Sequence, residues 1–159
     1  MSFSPQSKVW IYQSDREFSD QEQAAIQQRL DDFTGQWKAH GHQLQAKAEI
    51  LYNYFIVFIV DEAAAGTTGC SIDASVRVIK DIEKEFSVDL FNRFNIAYKV
   101  DDKVVILNKE DFETLISIKK ITPDSIVFNN LVQTLEDFET KWEGPFKNSW
   151  HHKVFADLL

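Results

Sequence analysis

The chain holds a single cysteine, Cys70, among 159 residues. One thiol excludes an intramolecular disulfide framework and a zinc site built from several cysteines. Glycine and proline are scarce, at five and three residues, and no linker, low-complexity segment or internal repeat divides the sequence. Positive charge is in deficit: 17 Lys and Arg stand against 25 Asp and Glu, for a net charge of −8 and a pI of about 4.9. Nucleic-acid binding draws most of its affinity from cations placed on phosphates, and anionic membranes recruit basic segments, so neither is an expected partner. The longest apolar run, 50–60, is interrupted by Asn53 and is far shorter than the roughly 20 residues of a spanning helix. The N-terminal stretch MSFSPQSKVW lacks the apolar core of a secretory signal. A soluble cytoplasmic protein is the expectation.

What is present suits a compact fold. Apolar residues make up 44% of the chain and aromatic residues 13%, with 13 Phe and four Trp, which predicts a core of large rings. The length predicts one domain, 1–159, that buries about 68–70% of its unfolded surface. Residues 8–13 read as a strand apolar on both faces. Ser19 and Glu22 match a capping box. Ile26, Leu30, Phe33 and Trp37 then form one helical stripe, with Gly41 as its expected C-cap. Residues 43–51 alternate as a half-buried strand, and 54–60 are apolar on both faces, which marks a central strand. A two-residue turn at Tyr52-Asn53 would pair residue 50 with 55, 48 with 57 and 46 with 59. Small Ala46 and Ala48 would then leave room for a helix on one face.

A second helix is expected from Ser71 to Phe86. A hairpin follows around Asp101-Asp102, then a helix capped by Asn108, a turn at 122–125 and a short strand at 126–128. Thr134 is the expected cap of a last helix, closed by Gly144-Pro145. Residues 145–159 carry Phe146, Trp150, Val154, Phe155 and Leu158; the segment is too apolar for a free tail and is expected to pack on the body. The order β-α-β-β-α-β-β-α predicts an α+β domain with a mixed or antiparallel sheet of about five to six strands and three to four helices.

The assumed turn has a chemical consequence. It sets Leu44 opposite Asp61 and His42 near Ala63, so that His40, His42, Asp61, Glu62, Cys70 and Asp73 would gather at one sheet edge. Cys70 sits where a strand gives way to a helix, and helix N-termini favour anions and thiolates. The dipole contributes about 0.3–1 kcal/mol, under one pKa unit for a thiol, so a reactive thiolate would need a cation such as His42 beside it. Metal binding by His40 and His42, with Asp61 or Glu62 as a third ligand and Cys70 as a fourth, is a weaker pattern, more often two polar residues leaving a helix, and no metal is assigned. The loop 66–71 has glycines but no lysine after Gly69, so it is not a Walker A loop. It fails the dinucleotide fingerprint as well.

The strings Trp10-Ile-Tyr-Gln-Ser14, Tyr54-Phe55, Asp61-Glu62, Gly69-Cys-Ser-Ile-Asp73, Phe128-Asn-Asn130 and Ser149-Trp-His151 together resemble a small family from Bacteroidetes-type bacteria. Its members often carry the label "ABC transporter ATPase". The resemblance spans nearly the whole chain and brings no activity, ligand or catalytic residue with it. Asp61-Glu62 after an apolar strand does resemble a Walker B segment, but the phosphate-cradling lysine loop of an ABC ATPase is missing. ATP hydrolysis of that type is therefore not expected.

Two function classes follow. The first is a noncatalytic small-ligand or anion-binding domain, or a protein-interaction domain, with its candidate site at Gly69, Ser71, Asp73, Asp61 and Glu62. The alternative is a thiol-dependent enzyme with Cys70 as nucleophile and His42 as base. No motif names a cofactor. The partner is a small molecule or a protein, and the aromatic C-terminal segment is a candidate homodimer contact.

Overall fold

The computed structural model describes residues 2–63 and 65–158. Ala64, in the expected loop before Cys70, and Leu159, at the end of the expected C-terminal segment, lie outside them, as does Met1. The fold is α+β, and every strand pairing is antiparallel. Among the described residues the strands form three separate sheets of three, two and four strands, where the sequence predicts one. The chain divides into two compact units, residues 1–91 with 133–136, and residues 92–132 with 137–159.

The first unit is built on the most apolar stretch of the sequence. Strand β5 (Phe55–Asp61) is buried at every position. It lies between β1 (Lys8–Gln13) and β4 (Gln45–Leu51), as its two apolar faces require. Helix α1 (Asp20–Gln36) begins at the Ser19–Glu22 capping box. Its Ile26 and Leu30 enter one core with Ile56, Phe58 and Val60 of β5 and with Ile79 and Ile82 of helix α2 (Gly69–Phe86). Burying each side chain of this size is worth about 1.5–3 kcal/mol. The amide of Gln27 donates to the Ala48 carbonyl at 2.9 Å, so a helix does lie against the small residues of β4.

The register differs from the expected one by one residue. Ile50 pairs with Ile56, Ala48 with Phe58 and Ala46 with Val60. The connection takes three residues: Tyr52 and Asn53 both adopt left-handed φ, 53° and 63°, and the Tyr54 N–H donates to the Leu51 carbonyl at 3.1 Å. Two consecutive left-handed residues are the backbone of a type I′ turn, here made without glycine. Helix α1 also ends earlier than expected. Trp37 is its C-cap, and strands β2 (Lys38–Ala39) and β3 (His42–Gln43) make a small hairpin of their own. Gly41, at φ 79°, shares the turn of that hairpin with His40, at φ 51°, and does not cap the helix.

In the second unit the sheet order is β7-β6-β8-β9, from β6 (Ile96–Val100), β7 (Lys103–Leu107), β8 (Ile126–Phe128) and β9 (Glu143–Pro145). Asp101-Asp102 closes the first hairpin, as read from the sequence. Asn108 caps α3 (Lys109–Ser117) by accepting from the Asp111 N–H at 2.8 Å. Helix α4 spans Leu135–Lys141; Gly144-Pro145 does not merely close it but forms the strand that pairs with β8. A 3-10 turn, Phe146–Asn148, leads to α5 (Trp150–Phe155) and a second 3-10 turn, Ala156–Leu158. Phe146 and Phe155 are buried in a core with Ile96, Phe112, Ile116 and Val127.

Candidate functional site

The structure starts α2 two residues before the expected Ser71. Thr68 is the N-cap, and its hydroxyl accepts from the Ser71 N–H at 3.2 Å. The Ser71 hydroxyl accepts in turn from the Thr68 N–H at 2.7 Å and donates to the Thr68 carbonyl at 2.9 Å. Ser71 is buried, and its N–H and hydroxyl are committed to the cap. Cys70 therefore lies inside the first helical turn, with an exposed thiol. Among the described residues the N–H groups of Gly69 and Cys70 bond to nothing, and both residues are exposed. The first turn of α2 carries no acidic residue, whereas α1 places Asp20 and Glu22 there and α3 places Glu110 and Asp111. The partial positive charge at this helix end is left unneutralised by the helix itself.

The two carboxylates at the end of β5 have structural partners. Asp61 accepts from the Ala63 N–H at 3.0 Å and from the Ser4 N–H at 3.1 Å. These two donors hold its carboxyl below the ordinary carboxylate range, because they favour the charged form. Glu62 accepts from the Thr67 N–H at 2.6 Å and the Thr67 hydroxyl at 3.0 Å, and it pairs with Lys8 at 3.0 Å. Burial raises the Glu62 carboxyl, but the Thr67 bonds and Lys8 outweigh burial and bring it below its ordinary value. Together they staple the N-terminal segment and the loop that leads into α2. Asp73, in the second turn of α2, is exposed, and its side chain makes no hydrogen bond or ion pair among the described residues.

The histidines fall on the separate β2–β3 hairpin, where His40 and His42 are both exposed. Just before that hairpin, the indole N–H of Trp37, the α1 C-cap, donates to the Ser71 carbonyl of α2 at 2.8 Å in a buried contact. The link runs through Trp37, not through an imidazole or the sulfur. Among the described residues no trio of His, Cys, Asp or Glu is placed to hold a metal ion.

In the second unit His151, which in sequence is no more than a weak metal pattern with His152, is set apart by its burial. His151 is 2% exposed, and burial lowers its pKa to about 4, so it is neutral at physiological pH. Its Nδ1 lies 3.1 Å from the Ser149 hydroxyl, and its ring stacks on Trp150 with centroids 3.8 Å apart. The signal was present in the sequence: His151 and Phe155 are four residues apart and share one helix face. It becomes legible once the segment is read as a helix.

No family model matches the chain, and no curated protein or solved structure matches it. Among the described residues, no helix is long and apolar enough to cross a membrane.

Proposed function

We propose that this chain is a noncatalytic binding domain that takes a small anionic ligand at the first turn of α2. The observation that carries this reading is the pair of N–H groups of Gly69 and Cys70, both exposed residues, that bond to nothing among the described residues, on a turn without acidic side chains. Such groups converge on an anion placed at the helix axis. The exposed Cys70 thiol would border the ligand, and the Glu62–Thr67 bonds would hold the loop in place beside it. A bacterial cytoplasmic setting is part of the proposal, on the resemblance carried by Gly69-Cys-Ser-Ile-Asp73 and its companion strings.

Amide NMR of the full chain during titration with inorganic phosphate tests it. Saturable shifts confined to residues 69–72, competed by carboxylates and not reproduced by chloride at equal ionic strength, are expected. Equal, non-saturating responses to phosphate and chloride would remove the reading.

A further inference from the structure

The last segment of the second unit is held in two different ways. Phe146 and Lys147 are fixed by backbone bonds: the Phe146 N–H donates to the Ser125 carbonyl at 2.7 Å, and the Lys147 N–H donates to the Pro123 carbonyl at 2.9 Å. Beyond them, residues 149–158 make no hydrogen bond or ion pair with any described residue outside 146–158. Packing alone docks them, and only His151 and Phe155 among them are buried. Both anchors meet Phe112 of α3, with ring centroids 6.5 Å away for His151 and 5.0 Å for Phe155.

One of the two anchors can change its charge. The Ser149 hydroxyl donates to the Phe146 carbonyl at 3.0 Å, so its oxygen is left to accept from the His151 Nδ1–H across 3.1 Å. The bare nitrogen of the neutral ring is then Nε2, which bonds to nothing among the described residues. A proton added there would charge a ring that is 2% exposed, with no acceptor for the new N–H. The surrounding elements do carry charged or titratable groups: Glu110, Asp111 and Glu113 on α3, Lys147 on the 3-10 turn, His152 and Lys153 on α5. None of them bonds to the ring, and burial is the one cause that shifts its titration. A buried cation without a partner is expensive, and water solvates it once the helix lets go. We propose that α5 and the turn after it form an acid-released latch: charging His151 undocks residues 149–158 together, while the rest of the second unit stays folded, and uncovers the Phe112 and Phe146 rings. The pivot is Asn148, just past the bonds that fix Phe146 and Lys147. Release breaks no hydrogen bond to any described element outside the segment, so it is a local opening, distinct from unfolding of the unit.

Native-state hydrogen exchange of the full chain in sub-denaturing urea, corrected for the intrinsic pH dependence of exchange, tests this. The slowest amides of α3 and β6 report global unfolding, whose urea dependence is steep. The amides of α5 should exchange faster and with little urea dependence, because a latch exposes little surface. A released imidazole titrates at the ordinary 6.5, so lowering the pH from about 7.5 to about 5.5 should speed α5 exchange about tenfold. His152→Gln should keep that factor, and His151→Leu should abolish it. Wild-type α5 amides that follow urea in step with those of α3 overturn the latch, as does α5 exchange that shows no pH dependence beyond the intrinsic one. A tenfold factor that survives in His151→Leu overturns it as well. Should His151→Leu fail to fold, the two wild-type criteria decide alone.

Discussion

Acidification from neutral pH protonates His151 in the unfolded chain well before it does so in the folded one. The folded imidazole has a pKa of about 4 against an ordinary 6.5, because burial penalises its charged form. Between those two values the unfolded state binds more protons, so folding stability falls as pH falls. The contribution is fully present above 6.5, is lost progressively down to 4, and levels off below that. At about 1.4 kcal/mol per pKa unit, the difference amounts to about 3 kcal/mol. The ring is 2% exposed, so solvent screening calls for little discount. A domain of ordinary stability has about 5–15 kcal/mol in total, which makes this a sizeable share. The carboxylates act in a separate window. Glu22, held at about 2 by Arg16 and the Ser19 backbone N–H, gives up stability only as pH drops below its ordinary 4.5. The assay is urea unfolding of wild type and His151→Leu across pH 7 to 4.5, with imidazole NMR titration of the wild type. The wild type should lose about 2–3 kcal/mol more than the variant over that range. Parallel stability profiles, or an imidazole that titrates near 6.5 in the folded protein, would refute the reasoning.

Three further outcomes follow from the first unit. Ser19→Ala removes the acceptor of the Glu22 N–H and should cost about 1 kcal/mol in denaturant unfolding; a change within error would show that Arg16, bonded to Glu22 at 2.7 and 2.8 Å, suffices to fix this helix start. Glu62→Ala leaves the Thr67 N–H without its acceptor and should cost about 1–3 kcal/mol, with faster hydrogen exchange at the Thr67 amide as the local readout and unchanged exchange as the contrary result. Cys70 should be alkylated in the native protein without denaturant, because its thiol is exposed; His42→Asn should leave the pH dependence of that labelling in place, and a displaced profile would instead support thiol chemistry with His42 as base.

Much of the fold was legible because its signals are local. The Ser19–Glu22 box, the unbroken apolar run of β5, the Asp101-Asp102 hairpin and the Asn108 cap are each encoded within a few residues, and each forms as read. The β4–β5 register was not legible, because a two-residue and a three-residue connection differ only in whether Tyr54 enters the ladder. Asn53 tolerates left-handed φ through its short polar side chain, but Tyr52 offers no such hint. A one-residue slip exchanges every pairing: Ala48 meets Phe58, not Val57. The slip also sets Asp61 opposite Gln45 in place of Leu44. The chain upstream then folds back on itself, with the Leu44 N–H donating to the Trp37 carbonyl at 2.9 Å, and the histidines stay on that small hairpin.

The candidate site divides along the same line between near and far partners. That Cys70 begins a helix is readable from the glycines before it and the apolar stripe behind it. The helix start itself was misplaced because the residue reciprocating Thr68 is Ser71, where the usual capping box has Glu or Gln. The roles of Asp61 and Glu62 could not be read at all. In sequence they are two adjacent carboxylates after an apolar strand, a pattern that equally suits a ligand shell and a staple. What decides is the donor set, and its decisive members are remote: Ser4 lies 57 residues from Asp61, and Lys8 reaches Glu62 only because Lys8 and Val60 are neighbours across β1 and β5. A carboxylate whose lone pairs are claimed by backbone N–H groups and a lysine has little left to offer a cation. The free donors at Gly69 and Cys70, with no acidic group on their own turn, are instead suited to an anion. On the proposed reading, the contacts that occupy Asp61 and Glu62 stand beside a helix end whose donors are open among the described residues, and this contrast gives the anion reading its sign.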